Sequence, residues 1–232
     1  MLTLYVVRHA ETHNPRDILY GRLPRFDLSP RGREQAAETA AKLADVPFDA
    51  IYCSPLLRAR RTAEVIAAYH PGVPLRRSSL LLENRHPYQG RPHAEVAKLG
   101  DRAYDPEILG PDGETIADVC DRMARFLRRV LKKYPNGVVG VVAHADPLSA
   151  LRLHLLGKQL TQPNLREEAP PLASVFTAQV DPDGAAHLDW FWKPTAPPAP
   201  AAQTEHPTAE QNAGGKTEAE PVAAESARRS AV

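Results

Sequence analysis

Little in this sequence points to a disulfide framework, a metal cluster or a membrane. Two cysteines, Cys53 and Cys120, stand in 232 residues, and their separation suits neither a zinc site nor a disulfide scaffold. Both read as buried thiols, one at a strand end and one within a helix. No apolar run approaches the ~20 residues of a membrane span. The first residues lack the basic start and longer apolar stretch of a secretory signal, so a cytoplasmic protein is expected. Charge of either sign is nearly balanced, at +1 overall. The segment from Pro194 onward carries three basic and five acidic residues, which leaves the remainder at about +3, too little for a nucleic-acid footprint. That segment, 194–232, also lacks aromatics and has only Val222 and Val232 as large aliphatics. It cannot bury a core and is expected to be a disordered, Ala/Pro/Glu-rich tail on a domain spanning 1–193.

What the sequence does contain is a set of buried-strand patterns that run directly into polar residues. Leu4-Tyr5-Val6-Val7 reads as a central parallel strand covered on both faces, which puts Arg8 and His9 at its carboxyl end. In open α/β sheets ligands bind at that edge, where the following helix offers free backbone N–H groups. A cation beside an imidazole there suits an anion. The residues from His13 to Asp27, with Pro15, Gly21 and Pro24 and no apolar period, form a loop that holds Arg22 and Arg25. A helix follows from Pro30 to about Ala44, capped by Ser29. Ala50-Ile51-Tyr52-Cys53 is a short buried strand ending at Ser54-Pro55, and Arg58 lies at the start of the next helix. Its planar fork suits bidentate contact with oxyanions, whereas Arg60 and Arg61 turn away and are expected to be mostly solvated.

Leu80-Leu81-Leu82 reads as a further strand ending on Glu83. Asp101 to Gly113 is punctuated by proline and glycine and is expected to be a loop. Ile116, Val119, Met123, Phe126, Leu127 and Val130 follow helical spacing to about Tyr134. Val138 to Ala143 is the second strongly buried strand, ending on His144, and Asp146-Pro147 is expected to cap the helix behind it. Past an irregular stretch to Pro171, Ala173 to Val180 and His187 to Trp192 read as paired edge strands around Asp181-Pro182-Asp183-Gly184. Strands alternating with helices predict an α/β fold.

Five of these stretches, in order, resemble the motifs of the histidine phosphatase superfamily, also called phosphoglycerate mutase-like. They are Thr3 to Asn14 with Arg8-His9-Ala10-Glu11-Thr12, Leu28 to Gly32, Ser54 to Glu64, Gly113 to Val119, and the strand ending on His144. The departures are Ala10 and Ala145 for glycines, Arg61 for a glutamine, and Tyr88-Gln89-Gly90 one residue early after Glu83. The resemblance covers residues 3 to 192 and implies a three-layer α/β/α sandwich with a mostly parallel central sheet. It implies a phosphatase without metal or cofactor, in which His9 takes the phosphoryl group, Glu83 donates the proton, and Arg8, Arg58 and His144 complete the catalytic set. Arg8, Arg58, His144, the Ala145 backbone, Arg22 and Asn14 are the expected substrate contacts. The partner would be a small phosphorylated molecule, and Arg22, Arg85 and His86 suggest a further anionic group on it; a homodimer is left open. Two alternatives stand beside the phosphatase: a phosphoglycerate-type mutase and a non-catalytic module that binds phosphorylated ligands.

Overall fold

Residues 1–194 are described by a computed structural model; beyond Pro194 the expected disordered tail lies outside the described residues. In chain order the elements are β1 (Leu2–Arg8), α1 (Pro30–Leu43), β2 (Ala50–Cys53), α2 (Leu57–Ala67), β3 (Leu75–Arg77), α3 (His93–Ala97) and α4 (Pro106–Leu109). They continue with α5 (Ile116–Lys133), β4 (Val138–Ala143), α6 (Ala145–Leu156), α7 (Gln162–Glu167), β5 (Val175–Val180) and β6 (Ala186–Trp192). The strands form one sheet in the order β3-β2-β4-β1-β5-β6. The first four run parallel, and β5 pairs antiparallel with both β1 and β6.

Strand alternation decides which helices cover which face. Leu2, Leu4 and Val6 of β1 enter the larger core with Met123, Phe126 and Leu127 of α5 and Leu148 and Leu151 of α6. Val7 points the other way, into a core with Ala40 and Leu43 of α1 and Ala59, Ala63 and Ile66 of α2. The result is a three-layer α/β/α sandwich with a mostly parallel sheet. Both cysteines are free and buried, and burial pushes each thiol up to about 11. Among the described residues no helix is long and apolar enough to cross a membrane.

Several local readings need correction. Leu80-Leu81-Leu82 is not a strand: Ser79–Leu81 is a single 3₁₀ turn, and the strand of this region is the preceding β3, exposed at all three residues. An apolar triplet satisfies a buried turn as well as a strand, and an exposed edge strand leaves no apolar signal. The hairpin is real, but of its two strands β5 is internal, paired on both sides, and β6 alone lies at a sheet edge. Asp146 does not cap α6; His144 is the N-cap residue, and Asp146 sits in the first turn. The two stretches read as irregular hold α4 and α7.

The chain after β1 is locked to the start of α1. Ser29 Oγ accepts the Gly32 N–H at 2.9 Å and donates to Glu11 Oε1, Ser29 N–H donates to the Glu11 carbonyl at 3.0 Å, and Glu11 N–H donates to Gln35 Oε1 at 2.9 Å. This packing requires glycine at 32, because a Cβ there would lie 2.0 Å from the Glu11 carbonyl oxygen. A methyl at that point must push the Glu11 backbone off α1. Gly32→Ala is therefore expected to destabilise the fold by roughly 1–3 kcal/mol, the usual cost of forced overpacking, read as a lowered midpoint in urea unfolding.

Candidate active site

The parallel register of β1 and β4 pairs Arg8 with Ala143, and the His9 N–H continues the ladder to the Ala143 carbonyl at 2.9 Å. His9 and His144 therefore leave neighbouring strands side by side, with ring centroids 5.1 Å apart, close to the spacing of adjacent strands. Both are buried.

His9 Nδ1 lies 2.8 Å from the Ala10 carbonyl oxygen, a group that can only accept. Its proton is thus on Nδ1, and Nε2 keeps a lone pair, which accepts from Arg58 Nε at 3.2 Å. Burial, then the charges of Arg58 and Arg8, hold the His9 pKa well below the ordinary imidazole value. The ring is neutral and its nucleophilic nitrogen faces a guanidinium.

Arg58 is fully buried on the first turn of α2. Its Nη2 donates to the Gly21 carbonyl at 2.8 Å, and its guanidinium carbon lies 4.6 Å from the centroid of the Tyr20 ring. Gly21 adopts φ +41° where a Cβ would meet Gln89 Oε1 at 2.7 Å, so glycine lets the loop bring its carbonyl to Arg58. Thr62 Oγ1, one turn along α2, donates to the Arg58 carbonyl at 2.9 Å and accepts the Ala10 N–H at 3.1 Å. Arg8 Nη1 donates to the Pro170 carbonyl at 2.8 Å, and its buried Nε has no protein partner.

His144 shares a hydrogen bond between Nε2 and Ser54 Oγ at 2.7 Å, while its buried Nδ1 has no protein partner. Burial, then Arg58 and His9, hold its pKa well below the usual value. Ala145 opens α6, so its N–H belongs to the first turn, where no intrahelical acceptor exists. Two neutral imidazoles, two guanidinium groups and a helix N-terminus converge on one spot, an arrangement that suits a tetrahedral oxyanion.

Glu83 approaches from the loop after the 3₁₀ turn. It is half-buried, and its Oε1 accepts the Asn84 N–H at 2.9 Å. Burial, then the charge of Asp146, push its carboxyl up to about 7, against the pull of Arg58 and Arg8. A clasp of charges holds this loop. Arg122 Nη1 donates to the Leu80 and Leu82 carbonyls, each at 2.7 Å, and its Nε to Glu114 Oε1 at 3.0 Å. Arg22 Nη2 meets the same Glu114 carboxylate at 2.5 Å, and its Nε donates to the Glu83 carbonyl at 2.7 Å.

The expected site residues thus divide. Arg8, His9, Arg58, Glu83, His144 and Ala145 come together. Arg22 is committed to Glu114 and the Glu83 backbone, a supporting position behind the Glu83 carboxyl. Asn14 closes its own loop, with Nδ2 donating to the Ile18 carbonyl and Oδ1 accepting the Ile18 N–H. Arg85 is exposed. Sequence reasoning missed Ser54, Thr62, Tyr20, Arg122 and Asp146, and read Glu114 only as part of a helix entry. Glu114 and Ser54 each stood inside a family motif, a signal that could have found them.

The sequence profile of the histidine phosphatase superfamily (branch 1) matches residues 4–193. This chain belongs to that superfamily. It is similar to the uncharacterized protein Rv0525 of Mycobacterium tuberculosis, 38% identical over 189 residues, which cover 78% of this chain and 91% of that one. It is also similar to phosphoserine phosphatase 1 of Hydrogenobacter thermophilus, 32% identical over 169 residues, covering 70% and 80% respectively. Among solved structures, YhfR of Bacillus stearothermophilus superposes with a TM-score of 0.71 at 26% identity, covering 82% of this chain and 96% of that one. In this histidine phosphatase, Ala10 stands where the family motif has glycine, and its methyl is buried with Leu28, Ala36 and Ala173. The carbonyl that fixes the His9 tautomer is supplied by the backbone and does not depend on that side chain.

Asp146 raises the Glu83 pKa because one carboxylate disfavours ionisation of another. Removing that charge must lower it, though not to the ordinary value, since burial is the larger cause. In Asp146→Asn the ¹³C carboxyl titration of Glu83 is expected to have its midpoint below the value near 7 of the parent protein. An unchanged or raised midpoint would remove Asp146 from the account.

Proposed function

We propose that this protein is a cytoplasmic, metal-independent phosphomonoester hydrolase that passes the phosphoryl group of a small phosphorylated metabolite through His9 to water. The observation that carries this reading is the fixed tautomer of His9, a buried neutral ring whose Nε2 lone pair lies against the Arg58 guanidinium.

Arg58 covers that lone pair in the unliganded protein. A phosphate oxygen replaces Nε2 as acceptor for Arg58 Nε–H and leaves the lone pair facing phosphorus. Attack forms the Nε2–P bond as the P–O bond to the leaving group breaks. Glu83, protonated below about pH 7, gives its proton to the departing oxygen, so the product leaves as an alcohol. Its carboxylate then takes a proton from water, whose oxygen attacks phosphorus and frees His9 and inorganic phosphate. Charge on the three equatorial oxygens is met by Arg8, Arg58, the Ala145 N–H and His144. When the Ser54 hydroxyl donates to His144 Nε2, the His144 proton rests on Nδ1, the ring nitrogen without a protein partner. Fixed cations and donors supply the charge that a metal supplies elsewhere.

Hydrolysis is favoured over mutase chemistry by how the nearby cations are spent. Returning the phosphoryl group to a bound sugar acid requires cations for its carboxylate, yet Arg22 is tied to Glu114 and Arg85 is exposed. The phosphoserine phosphatase among the relatives supports the same choice.

His9→Ala is expected to abolish turnover, and rapid-quench of the parent with ³²P-labelled ester should place acid-labile, base-stable label on His9. Label on any other residue would be decisive against the scheme. Glu83→Gln should lower kcat/KM for alkyl phosphates by roughly 10²–10⁴-fold, and by much less for p-nitrophenyl phosphate, whose leaving group departs unprotonated. For the parent enzyme, kcat/KM toward an alkyl phosphate should fall as pH rises through about 7, since only the protonated carboxyl can act as acid. A limb that persists in Glu83→Gln would assign it to another group.

A further inference from the structure

Next to Glu83 lies a cavity of about 350 Å³, within the range of small-molecule pockets. It begins at Asn84, whose backbone N–H holds the Glu83 carboxylate, and it reaches Asp146, whose charge acts on Glu83. The oxygen that Glu83 protonates belongs to the leaving group, so whatever that oxygen carries must extend on this side. Leu19, Tyr88 and Val96 supply apolar wall, and the His86 and Tyr88 rings stack at 5.5 Å.

The polar part of the wall is unusual in what it leaves unmade. Asn84 is 1% exposed, with its amide beside Tyr104; His86 Nδ1 and Gln162 Oε1, on side chains 8% and 7% exposed, are unpartnered. Buried polar atoms are nearly always satisfied. Asn84, His86 and Gln162 line the cavity together with Tyr104 and Asp146, so its wall is polar as well as apolar.

The charges decide what kind of ligand fits. Asp146 is the carboxylate in the wall, and it accepts the Tyr104 hydroxyl. Of the basic side chains in the wall, Arg166 is exposed and bonded to Asp101 and the Gly100 carbonyl, and His93 Nδ1 is paired with Asp17 Oδ1. A carboxylated leaving group would therefore meet an anion and, among the described residues of this wall, no uncommitted cation. Burial is the main cause that lowers the His86 pKa, which keeps that ring neutral as well.

We infer that this cavity binds the leaving group of the substrate, and that it selects an uncharged, hydroxyl-bearing group with one apolar face, of the sugar or nucleoside class, against one carrying a carboxylate. Its hydroxyls lie along the polar wall of Asn84, His86, Tyr104 and Gln162, and its apolar face lies against Leu19, Tyr88 and Val96. The inference rests on the phosphatase reading given above and narrows its substrate.

The matched esters glycerol 3-phosphate and 3-phosphoglycerate, which differ by a hydroxymethyl group against a carboxylate, separate the two ideas, with p-nitrophenyl phosphate as the measure of phosphoryl transfer itself. The parent enzyme is expected to hydrolyse p-nitrophenyl phosphate, to prefer glycerol 3-phosphate over 3-phosphoglycerate by at least roughly tenfold in kcat/KM, and to act faster still on ribose 5-phosphate. Gln162→Lys, which brings a cation to the wall, should shrink the glycerol-to-glycerate ratio by a similar factor. Hydrolysis of p-nitrophenyl phosphate with equal or better use of 3-phosphoglycerate overturns this inference and leaves the phosphatase intact. The expected preference with a ratio unmoved by Gln162→Lys removes the selection from this cavity. No hydrolysis of any ester, p-nitrophenyl phosphate included, overturns the phosphatase reading and this inference together.

Discussion

The parallel pairing of β1 with β4 is the constraint on which the site depends. It puts residues 9 and 144 at the same height on adjacent strands, so two histidines 135 positions apart in sequence face each other with no loop needed to bring them together. A slip of one residue in that register would turn Leu4 and Val6 out of the larger core and toward the α1–α2 side, so the large core that defines the sheet also defines the histidine pair. Position is thereby set by apolar burial, and the chemistry inherits it. The pKa of each ring follows from the same burial, which disfavours the charged form before any neighbouring cation is counted.

Glu83 is held by a different kind of interaction. It comes from no strand, and the turn that bears it is fastened by Arg122 and Arg22 converging on Glu114. Partly buried ion pairs of this sort add little net stability over an apolar packing of the same volume, but they fix where backbone carbonyls point. The placement of the carboxyl is therefore polar and local, in contrast to the apolar placement of the histidines. Its raised pKa comes from burial and from Asp146, which stands in the first turn behind His144, so the Glu83 carboxyl and the N-terminal end of α6 are electrostatically linked.

These two modes explain what could be read from the residues. The continuous apolar runs of β1 and β4, and the polar residues that end them, were legible because the sheet is buried on both faces, and Arg58 was legible because its motif places it on a helix entry beside that edge. Leu80 to Leu82 misled because an apolar triplet does not distinguish a strand from a buried turn. β3 was missed because it buries nothing. Arg22 and Asn14 were correctly placed in a loop over the strand end, yet their partners are Glu114, 92 positions away, and the loop's own Ile18. Composition and spacing carry no record of which carboxylate an arginine will meet. Ser54 behind His144 and Arg122 behind Leu80 escaped notice for the same reason: each acts through a contact set by the finished fold.

The Glu114 clasp has a consequence for how substitutions combine. One carboxylate serves two guanidinium groups from segments that are otherwise unrelated in sequence, the loop at 22 and the helix at 122. Losing Glu114 leaves two guanidinium groups without their carboxylate, and losing either arginine releases one of the segments it ties, so substitutions there are not independent. The three positions are therefore coupled in energy, whereas the neighbouring cavity is lined by residues outside this clasp. A change in that wall can thus leave the fastening of the Glu83 turn as it is.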